Sequence, residues 1–179
     1  IMEKSALMVG AGSIFTACTP KNPEGEKAAT TDSAEVTAAE GTEVALNISA
    51  SKVIWTGSKV SASHTGDVAL KSGSLFVKDG QLAGGKFVSD LNTINDTDMQ
   101  GEFKGKLEGH LKSPDFFDVA NFPEATFEIT SVTAGAEAGT ATISGNLTMR
   151  GVTKNITFPA TVTEATETSV KASADFNVL

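Results

Sequence analysis

Two histidines, His64 and His110, are the only imidazoles in this chain. Either could act as a ligand, a base or a hydrogen-bonding core residue. Two imidazoles exclude a multi-histidine metal centre within one chain, and neither has a cysteine partner with which to share a metal. His110 opens the stretch HLKSPDFFDVANFPEATFE, ahead of a candidate helical turn, and its expected role is to fix that turn by a side-chain hydrogen bond. His64 stands in His64-Thr65-Gly66, at a bend, and is a candidate for the mouth of a pocket. Asp90, Asn92, Asn95, Asp96 and Asp98 have the composition of a calcium loop. They lack the central Gly and terminal Glu of an EF-hand, so a solvated, turn-forming loop is expected and no metal site is assigned. Ser and Thr are abundant, yet there is no strand-to-helix nucleophile elbow and no Ser-His-Asp set. No catalytic residue, no enzymatic activity and no cofactor are therefore assigned. Lys112, Arg150 and Lys154 could meet an anionic head group, or simply be solvent-facing turn charges.

The elements that would position these residues are strands. Val44, Leu46 and Ile48 alternate with polar or small neighbours, and Lys52 to Val60 continues around Val53 and Trp55. Ser74 to Val77 and Gln81 to Leu91 flank Lys78-Asp79-Gly80, where Asp-Gly supplies the positive φ of a hairpin turn. Gly84-Gly85 marks a bulge or bend. Phe103, Leu107 and Leu111 recur every four residues, which predicts a helix over Glu102 to Leu111. A helical turn could also begin at Ser113 or Asp115 and would be stopped by Pro123. It would push Phe116 and Phe117 inward before a strand from Ala125 to Val132. Later runs place Ala141, Ile143, Leu147 and Met149 on one face, then Ile156 and Phe158, then Val170 to Val178. Strands with one apolar and one polar face, hairpin links and no βαβ alternation predict an all-β antiparallel barrel or sandwich.

A net charge of −8 and a pI near 4.7 argue against nucleic acid as a partner. With 10 Phe and no Tyr, the interior carries bulk without phenolic hydroxyls. The single cysteine excludes an internal disulfide. It lies at Phe15-Thr16-Ala17-Cys18, after a short apolar run, and this resembles the lipobox of bacterial lipoproteins. Residues 1–18 are thus expected to be a lipoprotein signal peptide, with Cys18 lipidated and anchored to a membrane of the bacterial envelope, on the periplasmic side. Residues 19–43 are poor in large apolar side chains and are expected to be a disordered tether. The folded domain is expected over 44–179.

The strings HLKSPDFFDVANFPEATFEI, GNLTMRGVTKNITFPA and ASADFNV, with LNTINDTD and His64-Thr65-Gly66, resemble the YceI-like family. These are lipocalin-like bacterial proteins associated with binding polyisoprenoid lipids. The resemblance implies an antiparallel barrel of about eight strands, with short helical segments covering one end and a long prenyl chain or similar amphiphilic lipid inside. It also favours a cavity over a closed core. The wall candidates are Trp55, His64, Leu75, Val77, Phe87, Phe103, Leu107, Phe116, Phe117, Phe127, Leu147, Met149 and Phe158, with Lys112, Arg150 and Lys154 for the head group. Two departures stand out. Members of the family usually continue past Phe176-Asn177-Val178 with a final strand, so the C-terminus is expected to be truncated or to leave an unpaired edge. The Asn92–Gly101 loop lacks a basic residue beside its acidic ones. Two other readings stay open: a metal-binding or enzymatic barrel using His64 and His110, and a closed structural or stress-response barrel. Pairing into a homodimer is also left open.

Overall fold

A computed structural model describes residues 3–4, 26–59 and 62–178. The period-two alternation becomes pleated strand almost throughout. Short strands come first: β1 (Glu3–Lys4), β2 (Glu26–Lys27), β3 (Ala29–Asp32) and β4 (Thr42–Ala45). The hairpin strands β5 (Val53–Lys59) and β6 (Ala62–Val68) lead into β7 (Leu70–Lys78), β8 (Gln81–Asp90) and β9 (Asn95–Asp96). After helix α1 (Gly101–Lys112) come β10 (Glu124–Ala134), β11 (Thr140–Met149), β12 (Val152–Ala165), β13 (Val170–Ser173) and β14 (Phe176–Asn177).

The main sheet runs β13-β12-β11-β10-β8-β7-β4, with β3 also on β12. A second sheet runs β1-β5-β6-β9. The chain passes from one to the other at Ala69, between β6 and β7. The Ala69 N–H donates to Thr93 Oγ1 at 2.8 Å, and its carbonyl accepts from the Asp90 N–H at 2.9 Å. Both backbone groups freed at this corner are thereby satisfied. The sheets curve around one interior as a lipocalin-like antiparallel barrel. Two hairpins close on turns with positive φ at both central residues, Asp79-Gly80 (52° and 73°) and Arg150-Gly151 (50° and 71°). Such turns match the right-handed twist of the strands they join.

Inward-facing aromatics fill much of the barrel. Phe87 faces Phe127 across β8 and β10 with rings 5.5 Å apart, Phe127 meets Phe158 at 5.6 Å, and Phe158 stacks on Phe176 at 4.0 Å. Gly145 makes room for this stack. A Cβ at that position would lie 2.3 Å from the Phe127 ring. A second buried cluster, Val68, Leu91, Ile94, Leu111, Val119 and Ala125, sits under the helix.

Two expectations are corrected. The helix ends at Lys112 with Ser113 as its C-cap, and 113–121 is a series of turns rather than a new helical start. Pro114 holds Ser113 extended, at φ −70° and ψ 166°. The Phe117 and Val119 N–H groups then return to the carbonyls of Leu111 and Lys112, at 3.0 Å each, so the helix end is satisfied by the turn. The described part of the expected tether is also not a free coil. β3 pairs with β12 from Asp32↔Lys154 to Ala29↔Thr157, β2 pairs with β14, and Ala28 is buried in the core. The Asn146 side chain accepts from the Ala34 N–H (3.0 Å) and donates to its carbonyl (2.7 Å). Composition undervalues such a segment because it is held through backbone bonds to a sheet edge and buries one small side chain. The N-terminal apolar run, Cys18 and residues 19–25 lie outside the described residues.

Candidate functional site

Between the phenylalanine stack and the end of α1 lies a cavity of about 150 Å³. β5 contributes Val53 and Trp55, β6 His64 and Val68, and β8 Phe87 and Ser89. β10 contributes Ala125, Thr126 and Phe127, and β11 Leu147 and Met149. Ile156, Phe176 and Val178 line the cavity beside Phe127, and the helix and the turns add Leu107, Leu111, Phe116 and Phe117. The wall is dominated by hydrocarbon and carries only a few hydroxyls, from Thr56, Ser89 and Thr126. It can hold an apolar group through burial and shape, and it offers little to fix a polar one.

Specific contacts set this wall. Trp55 lies against Gly66, where a Cβ would come within 2.4 Å of the indole, and its Nε1–H donates to the Asp67 carbonyl at 3.3 Å. Phe116 and Phe117 meet edge to face, 4.5 Å apart and at 83°. Arg150 Nη1 donates to the Phe116 carbonyl at 2.9 Å and ties the turn to the β11–β12 hairpin.

Nine of the thirteen wall candidates line this cavity: Trp55, His64, Phe87, Leu107, Phe116, Phe117, Phe127, Leu147 and Met149. Leu75 and Phe158 line a smaller void of about 30 Å³ on the far side of Phe87 and Phe127, which border both spaces. Val77 is buried but borders neither. Phe103 is 69% exposed and is removed from the wall. It shares the helical stripe of Leu107 and Leu111, but of the three only Leu107 and Leu111 reach the cavity wall. Val53, Val68, Leu91, Ile94, Leu111, Ala125, Ile156, Phe176 and Val178 were not among the candidates. For Ile156 and Phe176 the signal was present, since both stood on alternating apolar faces.

The polar candidates scatter. His110 was expected to fix the turn after α1 by its side chain; instead its backbone carbonyl does so, accepting from the Ser113 N–H (3.1 Å) and Oγ–H (2.7 Å). Its ring lies 6.2 Å from that of Phe116. Lys154 pairs with Asp32 at 2.7 Å and so holds β3. Hydrogen bonds from the Asn92 side chain and then its backbone N–H keep the Asp90 carboxyl below the usual carboxylate range. Lys71 and Lys112 act in the same direction, against burial. The acidic loop is not uniformly solvated: Asp96 is fully buried.

The model of the YceI-like domain matches residues 30–179. The chain belongs to the YceI-like family. Among YceI-like relatives, a UPF0312 protein of Pseudomonas putida is 52% identical over 52 residues, covering 29% of this chain and 27% of that one. Protein YceI of Salmonella arizonae is 51% identical over 70 residues, 39% of this chain and 36% of that one. The matched stretches therefore span about a quarter to a third of these relatives. The crystal structure of Burkholderia cenocepacia BcnA superposes with a TM-score of 0.56 at 19% identity, over 67% of this chain and 72% of that one. It shares the YceI-like fold.

Proposed function

We propose that this protein binds a long-chain isoprenoid or a similar amphiphilic lipid inside its barrel, without chemical conversion. Its service would be transport, storage or sequestration in the bacterial envelope, with Cys18 as the lipidated anchor. The observation that carries this reading is the apolar cavity of about 150 Å³ between the phenylalanine stack and α1. A prenyl chain has no hydrogen-bonding groups, so its affinity rests on apolar area removed from water, about 25 cal/mol per Å² before association costs. A space of this size takes one segment of such a chain. A longer chain needs the smaller void as well, and Phe87 and Phe127 stand between the two.

The test is purification of the full chain without detergent, followed by mass spectrometry of an organic extract. An amphiphile at near one per chain is expected, with a sharp loss from a Leu107→Trp variant that fills the cavity. A clean extract from the wild type, and no uptake of added isoprenoid alcohol, would sink the proposal.

A further inference from the structure

The antiparallel register of β6 and β9 sets Gly66 opposite Asp96 and Asp67 opposite Asn95. Carried two residues further, this register brings His64 beside Asp98, and the Thr97 N–H donates to the Thr65 carbonyl at 2.9 Å in the same ladder. The period of two then gathers His64, Asp96 and Asp98 on one face. His64 Nδ1 lies 3.3 Å from Asp98 Oδ1, and one donor atom from each of the three residues falls within 4.8 Å of the others. Asp96 is fully buried. Its Oδ1 accepts from the backbone N–H groups of Asp98 (3.2 Å) and Met99 (2.7 Å), while its Oδ2 is buried with no partner. A buried carboxylate oxygen without a donor is an expense that folded proteins rarely leave standing, and an ion is one of the few things that removes it.

We propose that His64, Asp96 and Asp98 bind one divalent transition-metal ion at the rim of the cavity. Metal–ligand bonds of about 2.0–2.2 Å let two donors sit up to roughly 4.3 Å apart across an ion, so small side-chain adjustments close the site. The N–H groups on Asp96 Oδ1 hold that carboxylate in place, as outer-shell donors do in metal sites. Behind it, Glu108 Oε1 accepts the Asp96 N–H at 2.9 Å and lies 3.7 Å from Lys104 Nζ. The side chains of His64 and Asp98 are 30% and 38% exposed, which gives an ion access and leaves coordination positions for water or an anionic oxygen. One imidazole with two carboxylates suits Zn²⁺ or Mn²⁺ better than the all-oxygen preference of Ca²⁺. His110 has no part in the group. The site stands apart from the lipid reading, because metal uptake can be measured on an empty barrel.

The experiment is calorimetric titration of ZnCl₂ into the chelator-stripped full chain, with elemental analysis of the bound metal. One Zn²⁺ per chain is expected. His64→Ala and Asp98→Asn should each weaken it by about tenfold or more, while His110→Ala and Cys18→Ser retain it. Asp96→Asn should weaken it most. Because that residue is buried, the two half-exposed positions decide the matter, with circular dichroism confirming that those variants fold. No saturable uptake near one per chain, or unchanged affinity in both His64→Ala and Asp98→Asn, overturns the site.

Discussion

Residues of one chemical type take opposite roles here according to their place in the barrel. Phe127 is in the centre, in contact with Phe87 and Phe158 and against Gly145, whereas Phe103 is on the outer end of α1. Phe127→Ala should cost about 3–5 kcal/mol in denaturant unfolding. Phe103→Ser should stay within about 0.5 kcal/mol of the wild type. The period-two pattern identifies Phe127, because alternation alone decides which side of a strand faces in. Phe103 misleads because a four-residue repeat tells which helix face is shared, not whether every position on that face is covered. The burial of Asp96 could not be read from its neighbours, since it sits opposite Gly66 of β6 and beside Glu108 of α1, which only the fold brings to it. Asp90 offers a test by pH. Its folded carboxyl titrates below its ordinary value of 3.8, so its charge stabilises the fold above that value and the contribution fades as pH falls through the lower one. Asp90 also caps the turn Leu91–Thr93, accepting the Asn92 N–H at 3.0 Å, and Asp90→Ala should cost about 1 kcal/mol near neutrality, as loss of a cap does. The gap should narrow in unfolding curves as the pH is taken progressively below 3.8.

At the scale of elements, the β7–β8 hairpin was legible because Asp79-Gly80 announces its turn, and the pair adopts the expected positive φ. The ordering of 26–34 was not, because backbone pairing to a remote edge leaves no mark on local composition. Two side chains bind that segment from the sheet, Asn146 to Ala34 and Lys154 to Asp32. Asn146→Ala should abolish hydrogen-exchange protection over residues 29–34 and leave β10 and β11 protected. Uniform loss across the sheet would contradict this attachment. Acid should loosen the same strand. Lys154, by hydrogen bond and then by charge, holds the Asp32 carboxyl below its ordinary value, so this ion pair is kept above that value and lost beneath the lowered one.

For the molecule as a whole, the interior is divided rather than hollow throughout. Phe87 and Phe127 form a partition between a larger space of about 150 Å³ and a smaller one of about 30 Å³. Phe127→Leu should open the partition. If the barrel holds a hydrocarbon, extracts of this variant should shift towards longer chains, as read by mass spectrometry. An unchanged length distribution would mean that the stack does not limit the ligand. The barrel class was readable from many one-faced strands, but the partition was not. It depends on which rings meet across β8, β10 and β12, and pattern alone cannot order strands in space.

The seating of residues 26–34 on the sheet edge also bears on the proposed anchor at Cys18. Were the whole of 19–43 slack, a lipid at Cys18 would leave a leash of up to about 85 Å. With β2 and β3 zipped down, seven residues separate Cys18 from the sheet, a span of at most about 25 Å. If Cys18 carries the proposed lipid, a barrel on so short a mooring cannot range far from its bilayer. It would sit within grazing distance of the bilayer, with its β2–β14 flank turned towards the surface.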